Sequence, residues 1–253
     1  MAHYNQLNFV KVAANHIKSD WGNMKILEVG SYDVNGNIRA LFQGSEYTGI
    51  DLCEGKGVDI VISGVDLALP DESFDLAISC ESFEHNPTWY ETFLNMYRMT
   101  KQGGALLFTC ATTGRLEHGT QRTDKNDSPG TQDIGWDYYK NLKKSDFDAM
   151  DLNNLFTNYV FFTDDLSNDL YFLGIKNGDR MFNLSIDKLT AQLTSTNSIV
   201  KKVRKESLLY FIARKGYRGV EFLVQTLFPE KIYQNFMYYT YYKIVPKIIS
   251  LLK

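Results

Sequence analysis

Lys25-Ile26-Leu27-Glu28-Val29-Gly30-Ser31-Tyr32-Asp33-Val34-Asn35-Gly36 is a compact apolar run that stops on a glycine and then turns polar. Such a run, bounded by turn residues, reads as a buried strand. Glu28 stands near its end, and Gly30 lacks the Cβ that would keep the backbone away from a ligand. Three more segments repeat the scheme in order: Tyr47-Thr48-Gly49-Ile50-Asp51-Leu52, Leu69-Pro70-Asp71-Glu72-Ser73-Phe74-Asp75-Leu76-Ala77-Ile78-Ser79, and Lys101-Gln102-Gly103-Gly104-Ala105-Leu106-Leu107-Phe108. Acids or glycines sit where the runs end, and ligands of an open α/β sheet bind outside the carboxyl ends of its strands.

Working outward, Leu7, Val10, Val12, Ala13 and Ile17 predict a leading helix over 5–19. Strands are expected at 25–29, 46–51, 58–62, 74–79 and 105–110, the last behind a Gly103-Gly104 turn. Helical segments are expected at 37–42 and 88–100, and strands alternating with helices argue for a parallel, doubly wound sheet. Residues 111–142 are rich in Gly, Thr, Asp and Asn, without an apolar period. A structureless stretch of that length is a functional loop or a disordered one. A helix over 145–156 follows, then two strands at 159–163 and 170–176 that suit an antiparallel pair at the sheet edge. The expected division is a catalytic unit over 1–178 and a helical region over 179–253, with breaks near 216–219, Pro229 and Pro246.

Hydrophobic residues at 44% and charged residues at 23% describe an ordinary globular chain. No run of 18 uncharged apolar residues occurs, so no membrane-spanning helix is expected. The start, Met1 to Gln6, lacks a basic cluster followed by an apolar stretch, which predicts a cytoplasmic protein without a secretory leader. Cys53, Cys80 and Cys110 have no metal-ligand spacing and read as reduced thiols, and no metal is expected. The net charge of −3 conceals an asymmetry: residues 197–253 carry eleven Lys/Arg against three Glu, a balance of +8, and the remainder stands at −11.

The four ordered segments resemble the class I S-adenosylmethionine-dependent methyltransferases, especially the broad small-molecule group with "LPDESFD" before the fourth strand. The resemblance implies a Rossmann-like, doubly wound seven-stranded sheet with an antiparallel last strand, plus a helical C-terminal extension. It implies that Glu28 organises the glycine loop and contacts the cofactor's tail amine, and that Asp51 accepts hydrogen bonds from the ribose hydroxyls, with Leu52 beside it. Ser63 and Gly64 occupy the position where many members place an acid for the adenine amine, so the serine hydroxyl or glycine backbone would serve. Cys80 and Glu81 would line the sulfonium. The loop departs from E-x-G-x-G-x-G, reading Glu28-Val29-Gly30-Ser31-Tyr32-Asp33-Val34-Asn35-Gly36, which leaves open which of Ser31, Tyr32 and Asp33 touches the cofactor. A dinucleotide-binding protein would want G-x-G-x-x-G opening a helix, which is missing.

For chemistry, transfer to a weakly acidic hydroxyl needs a base, and the candidates are Glu81, His85 and His118. Glu84-His85 matches the "EH" that follows the fourth strand in the family, where it often serves structure. The 112–142 stretch resembles a subgroup of bacterial methyltransferases associated with surface polysaccharides. It gathers Arg115, His118, Arg122, Asp137, Tyr138 and Tyr139, which suits a polar or anionic acceptor. Its plain alternative is a solvated loop anchored by the tyrosine pair. The basic, aromatic tail sets Ile199, Val200 and Val203 among Lys201, Lys202, Arg204 and Lys205, followed by Tyr210, Phe211, Tyr217, Phe222, Phe228 and Tyr233. Three readings compete: packing against the catalytic unit or a twin subunit in a homodimer, association with an anionic membrane surface, and single-stranded nucleic acid. The leading expectation is O-methylation of a small-molecule or sugar/glycan acceptor, in the cytoplasm or at the inner membrane face. The alternatives are an RNA methyltransferase, disfavoured because Ser79-Cys80-Glu81-Ser82 stands where Asn-Pro-Pro-Tyr would, and a non-catalytic cofactor-binding module.

Overall fold

The structure, a computed structural model, describes residues 3–18, 20–179, 182–203 and 208–251. Its frame is a seven-stranded sheet of β1 (Lys25–Val29), β2 (Glu46–Asp51), β3 (Ile60–Val61), β4 (Phe74–Cys80), β5 (Thr100–Ala111), β6 (Phe156–Asp164) and β7 (Asp169–Lys176). The order is β3-β2-β1-β4-β5-β7-β6, with β1 to β5 parallel and β7 antiparallel to both neighbours. This is the Rossmann-like arrangement expected, with the single reversed strand inserted next to the edge.

Near-continuous apolar composition buries the central strands on both faces, as parallel sheets require. One face packs on α1 (Tyr4–Ile17) through Phe9, Val10 and Ala13, and on α5 (Ile186–Val203) through Leu189 and Leu193. The other packs on α2 (Trp89–Met99) through Phe93 and Met96, and on Phe147 of the turn at Lys144–Met150. Phe108 is the pivot of this second core: its ring stacks on Phe172 at 5.1 Å and on Phe147 at 4.9 Å. Phe182, Leu184, Leu189 and Leu193 complete the first core, so in packing terms the sheet unit reaches past residue 178.

Several local expectations change. β3 shrinks to two paired residues, because the chain from Val58 to Asp59 is still turning to place Asp59 against the Gly49 amide. Gly103 and Gly104 form a bulge inside β5 rather than a turn before it, with the register slipping between Phe74 and Leu76. A Cβ at Gly104 would meet the Asp75 carbonyl at 2.8 Å, which explains the small residue. The helix expected over 145–156 is a tight turn followed by α4 (Leu152–Leu155), because Asp151 takes a left-handed conformation (φ 48°) between them. Within 111–142, short turns at Lys125–Asp127 and α3 (Pro129–Asp133) give the loop its own structure.

The C-terminal region continues as α6 (Leu208–Leu227), α7 (Glu230–Tyr238), a π-helical turn at Tyr239–Ile244 and α8 (Val245–Leu251). Gly216 and Gly219 lie inside α6 rather than breaking it, Pro229 does interrupt, and at Pro246 the helical backbone runs on from the π-helical turn into α8 rather than breaking. Arg204 and Lys205 of the basic stretch lie outside the described residues, as do the side chains of Ile199 to Val203, Tyr210 and Phe211. Among the described residues no helix is long and apolar enough to cross a membrane.

Candidate functional site

The carboxyl ends of β1, β2, β3 and β4 converge on one cavity, as the position of the β1/β4 crossover in this topology requires. Glu28, Gly30, Ser31, Tyr32, Gly36, Asp51, Leu52, Ser63, Gly64, Cys80 and Glu81 all line it. Asp33 does not. Its carboxylate instead accepts the Gly36 amide at 2.6 Å and the Asn37 side chain at 2.8 Å, and pairs with Lys56 at 2.5 Å, so it braces the loop from outside. Contact with Lys56, opposed weakly by burial, holds its carboxyl below the ordinary range.

The glycine loop spends its own amides on the sheet. Gly30 and Ser31 N–H both donate to the Ile50 carbonyl, at 2.9 and 3.0 Å, and Tyr32 N–H donates to Asp51 Oδ2 at 3.0 Å. Gly30 is left-handed (φ +81°), and a Cβ there would lie 2.6 Å from the Ser82 side chain. Glycine is thus demanded by the approach of the β4 turn as much as by any ligand. Asp51 Oδ1 accepts its neighbour's Leu52 N–H at 2.7 Å. Each carboxylate oxygen has two lone pairs, so both keep capacity for a diol.

Glu28 is buried, and Tyr47 O–H donates to its Oε2 at 2.8 Å. Burial pushes its carboxyl up to about 7, against the Tyr47 hydrogen bond and the Arg39 charge. At the opposite wall Glu81 takes a left-handed backbone (φ 51°), its N–H donating to the Thr109 carbonyl at 2.8 Å. Burial would raise the Glu81 carboxyl, but the His3 and Arg115 cations, each 3.8 Å away, hold it down. His3 also meets Asp169 at 2.8 Å; burial lowers this imidazole, and the two carboxylates more than reverse that, lifting it to about 9.

Beyond Glu81 the cavity reaches His85, whose Nε2 lies 3.3 Å from Nε2 of His118. The Tyr139 ring meets both imidazoles edge-on, at 5.4 and 5.1 Å, and its hydroxyl donates to the Leu116 carbonyl at 3.1 Å. Burial pushes His118 down to about 4 and His85 lower than its ordinary value, so both rings are neutral near pH 7. His85, His118 and Tyr139 are therefore assembled in one place. Arg115 sits beside them but serves Glu81, Asp169 at 3.6 Å and the Ser167 carbonyl. Tyr138 stands apart, half-buried and outside the cavity lining. Arg122 and Asp137 are loop anchors: Arg122 pairs with Glu117, bonds Asn235 at 2.5 Å and covers the Tyr238 ring, and Asp137 accepts the Gln121 amide.

The sequence reading missed part of the wall. Gln6 of α1 reaches the cavity, as do Ile62, Asp127, Ser128, Pro129, Gly130 and Trp136. Gln6 did carry a signal, being a polar residue on the buried face of an apolar helix. Gly130 rests directly on Asp51: a Cβ there would lie 2.7 Å from Asp51 Oδ1.

Residues 27–108 match a family model described as a methyltransferase domain. This segment is a methyltransferase domain. The strand order and the cavity around it are those of the Rossmann-like methyltransferase fold, and the cofactor that such domains use is S-adenosylmethionine. The residues present fit that cofactor: Ser31 Oγ and Gln6 Oε1 are buried in the cavity wall without a partner in the chain, and Glu28 and Asp51 put carboxylates at two places along it. No curated protein matches the chain. Among solved structures it is similar to the YcgJ protein of Bacillus subtilis (13% identity, 70% of this chain and 100% of that one, TM-score 0.47). It is also similar to phosphoethanolamine N-methyltransferase 2 of Haemonchus contortus (13%, 68% and 52%, 0.47) and to 1,6-didemethyltoxoflavin-N1-methyltransferase of Burkholderia thailandensis (14%, 62% and 72%, 0.45). The family match ends at residue 108, so the His118 loop and Gly130 lie beyond it.

Two outcomes follow from this geometry. A cationic tail amine favours the ionised form of Glu28, so affinity for S-adenosylhomocysteine should fall roughly tenfold from pH 8 to pH 6, as protonation of a group near 7 competes with binding. Calorimetric titration across that range checks it, and a flat profile in the wild type refutes it. Gly130→Val should weaken the same binding by about tenfold or more while leaving the melting temperature nearly unchanged, since the added atoms displace either Asp51 or α3; undiminished affinity would mean that α3 does not rest on the cofactor site.

Proposed function

We propose that this chain methylates a hydroxyl of a small-molecule or sugar/glycan acceptor. The observation that carries the reading is the junction of two sites: His85 lines the cofactor cavity and its imidazole meets His118 of the loop after β5. When bound, S-adenosylmethionine supplies an electrophilic methyl carbon on a cationic sulfur. Glu28 would hold its tail amine and Asp51 its ribose, while Ile62, Ser63 and Gly64 offer the slot for adenine and Cys80 with Glu81 flank the sulfur.

Methyl transfer is an in-line displacement, so alignment supplies much of the acceleration. A sugar hydroxyl is weakly acidic and also needs its proton drawn away. His85 and His118 suit that role because burial keeps both neutral, with nitrogen lone pairs available at physiological pH. Glu81 is the weaker base, being held well below the usual carboxylate range, and serves as fixed negative charge beside the cation. Arg115 and Tyr139 bound the acceptor end, with Tyr138 further out.

Packing of the acceptor loop supports a small acceptor over an RNA strand or a purely regulatory role. Tyr233 of α7 accepts the Gly114 amide at 3.0 Å, and Tyr242 O–H donates to the Glu117 carbonyl at 3.3 Å, so the C-terminal helices close over this loop. Beyond that cover, α6, α7 and the turn between them expose Phe222, Leu223, Leu227, Phe228 and Ile232 beside the exposed Lys231. We read residues 179–253 as a region that docks a cytoplasmic enzyme on an anionic membrane face, a homodimer contact being the competing use of the same surface.

Titration with S-adenosylhomocysteine tests the core of this reading. Asp51→Ala removes a charged acceptor, a loss of about 1.5–3 kcal/mol, so affinity should drop roughly ten- to a hundredfold; a wild type that fails to bind would sink the enzyme reading. For the surface, the protein should sediment with phosphatidylglycerol vesicles and not with neutral ones, and Phe222→Glu with Leu227→Glu should abolish it. Equal recovery in the supernatant with both vesicle types would remove the membrane proposal.

A further inference from the structure

Three buried side chains, of which His85 lines the cavity, form a cluster whose hydrogen bonding is incomplete. Glu84 is fully buried, and neither of its carboxylate oxygens has a hydrogen-bond partner. His85 Nδ1 is likewise buried and unpartnered. The Nε2 atoms of His85 and His118 face each other at 3.3 Å, with the rings nearly perpendicular. At that separation the two rings can share one weak hydrogen bond, or both nitrogens can face a common ion. Two imidazole nitrogens bound tetrahedrally to one ion at about 2.0–2.1 Å lie about 3.3–3.4 Å apart.

We propose that Glu84, His85 and His118 form a binding site for one divalent first-row transition metal ion, at the acceptor end of the methyltransferase cavity. One ligand atom from each residue falls within 4.8 Å of the others. A pair of imidazoles with one carboxylate is a donor set that suits zinc, iron or manganese rather than calcium or magnesium. His118 is oriented as such ligands are: its Nδ1 lies 2.9 Å from the Leu116 carbonyl, which fixes the tautomer that leaves Nε2 to the metal. Charge balance points the same way. His3 and Arg115 are already engaged by Glu81 and Asp169, whereas no ion pair to Glu84 occurs among the described residues. A cation here would offset the buried carboxylate, whose two oxygens have no partner. Gly119 leaves room for the arrangement, since a Cβ there would stand 2.9 Å from His85 Cε1.

The ion would be reached through the face of His85 that lines the cavity; with the imidazole nitrogens bound to it, the ion would replace them in the proposed reaction by holding the acceptor hydroxyl and increasing its acidity. That use rests on the proposed methyl transfer, but the site itself is tested apart from it. The signal was hidden in the sequence because the two histidines stand 33 residues apart in separate segments, with no short-range ligand motif.

Full-length protein is stripped with a chelator and titrated with Zn2+ alone, and in parallel with Co2+ to read the visible bands of tetrahedral coordination. The expected result is saturable uptake of about one ion per chain, with affinity at least roughly tenfold weaker in Glu84→Gln and in His118→Gln. Each variant is also titrated with S-adenosylhomocysteine, and only variants that retain that binding, and are therefore folded, are scored. Absence of saturable uptake, or uptake equal in wild type and folded variants, overturns the site. Zinc uptake without S-adenosylhomocysteine binding by the wild type would keep the metal site and overturn the methyltransferase reading, and the reverse result would do the opposite.

Discussion

Crowding of carboxylates at one edge of the sheet is the constraint that the rest of the molecule answers. Glu28, Asp51, Glu81 and Glu84 lie at or just past the carboxyl ends of parallel strands, and Asp169 joins them because β7 runs backwards and starts at the same edge. Burying an unpaired charge costs far more than the marginal stability of a domain can absorb. Each acid therefore needs a cation, a hydrogen bond or a proton. His3 and Arg115 answer for Glu81 and Asp169, Tyr47 for Glu28, and the backbone amides of Tyr32 and Leu52 for Asp51. The N-terminal helix and the post-β5 loop are thus drawn over the cavity by charge as well as by apolar contact.

The same requirement explains why the C-terminal region is tied to the loop. Gly114 donates to Tyr233, which in turn donates to Glu221 at 3.0 Å, and Asn141 points at the same hydroxyl. Arg122 bridges Glu117 to Asn235 and lies 4.7 Å over the Tyr238 ring. A loop that must hold Arg115 and His118 at fixed places has few apolar residues with which to fix itself. Helices from a hundred residues further on supply the anchor.

The frame was legible because its signals are local. β1 and β2 begin and end where the apolar runs do, since Gly30 and the Asp51-Leu52 turn close them sharply. The cofactor side was legible for the same reason: Glu28, Gly30, Asp51 and Cys80 are fixed by their positions at strand ends. Failures cluster where tertiary contact overrode the local pattern. Asp151 split a helix that periodicity alone would continue, and Gly216 and Gly219 were absorbed into α6. Trp136 and Gly130 reach the cavity only because α3 folds back across Asp51, a contact between segments some eighty residues apart that leaves no mark on either segment alone.

These two halves obey different physical rules, and that difference bears on function. The donor half is built from strand ends, whose spacing the sheet fixes at about 4.8 Å, so any chain with this topology can rebuild it. The acceptor half is built from a loop whose position depends on the Arg115 ion pairs, the Tyr139 ring and the α7 anchor. The strand ends fall within the family match, as do Glu84 and His85, whereas Arg115, His118, Tyr139 and α7 lie beyond it. Cofactor binding therefore rests on the sheet, whereas in the proposed reaction acceptor choice would rest on the side chains gathered at His85, His118 and Glu84. Glu28 links the two: with its carboxyl near 7, it can release a proton when a cation arrives beside it and regain one when that charge leaves. The tail amine is common to the methyl donor and its product, so this exchange would serve both alike, and telling the cationic sulfur from the neutral one would fall to Glu81, the fixed negative charge proposed beside it.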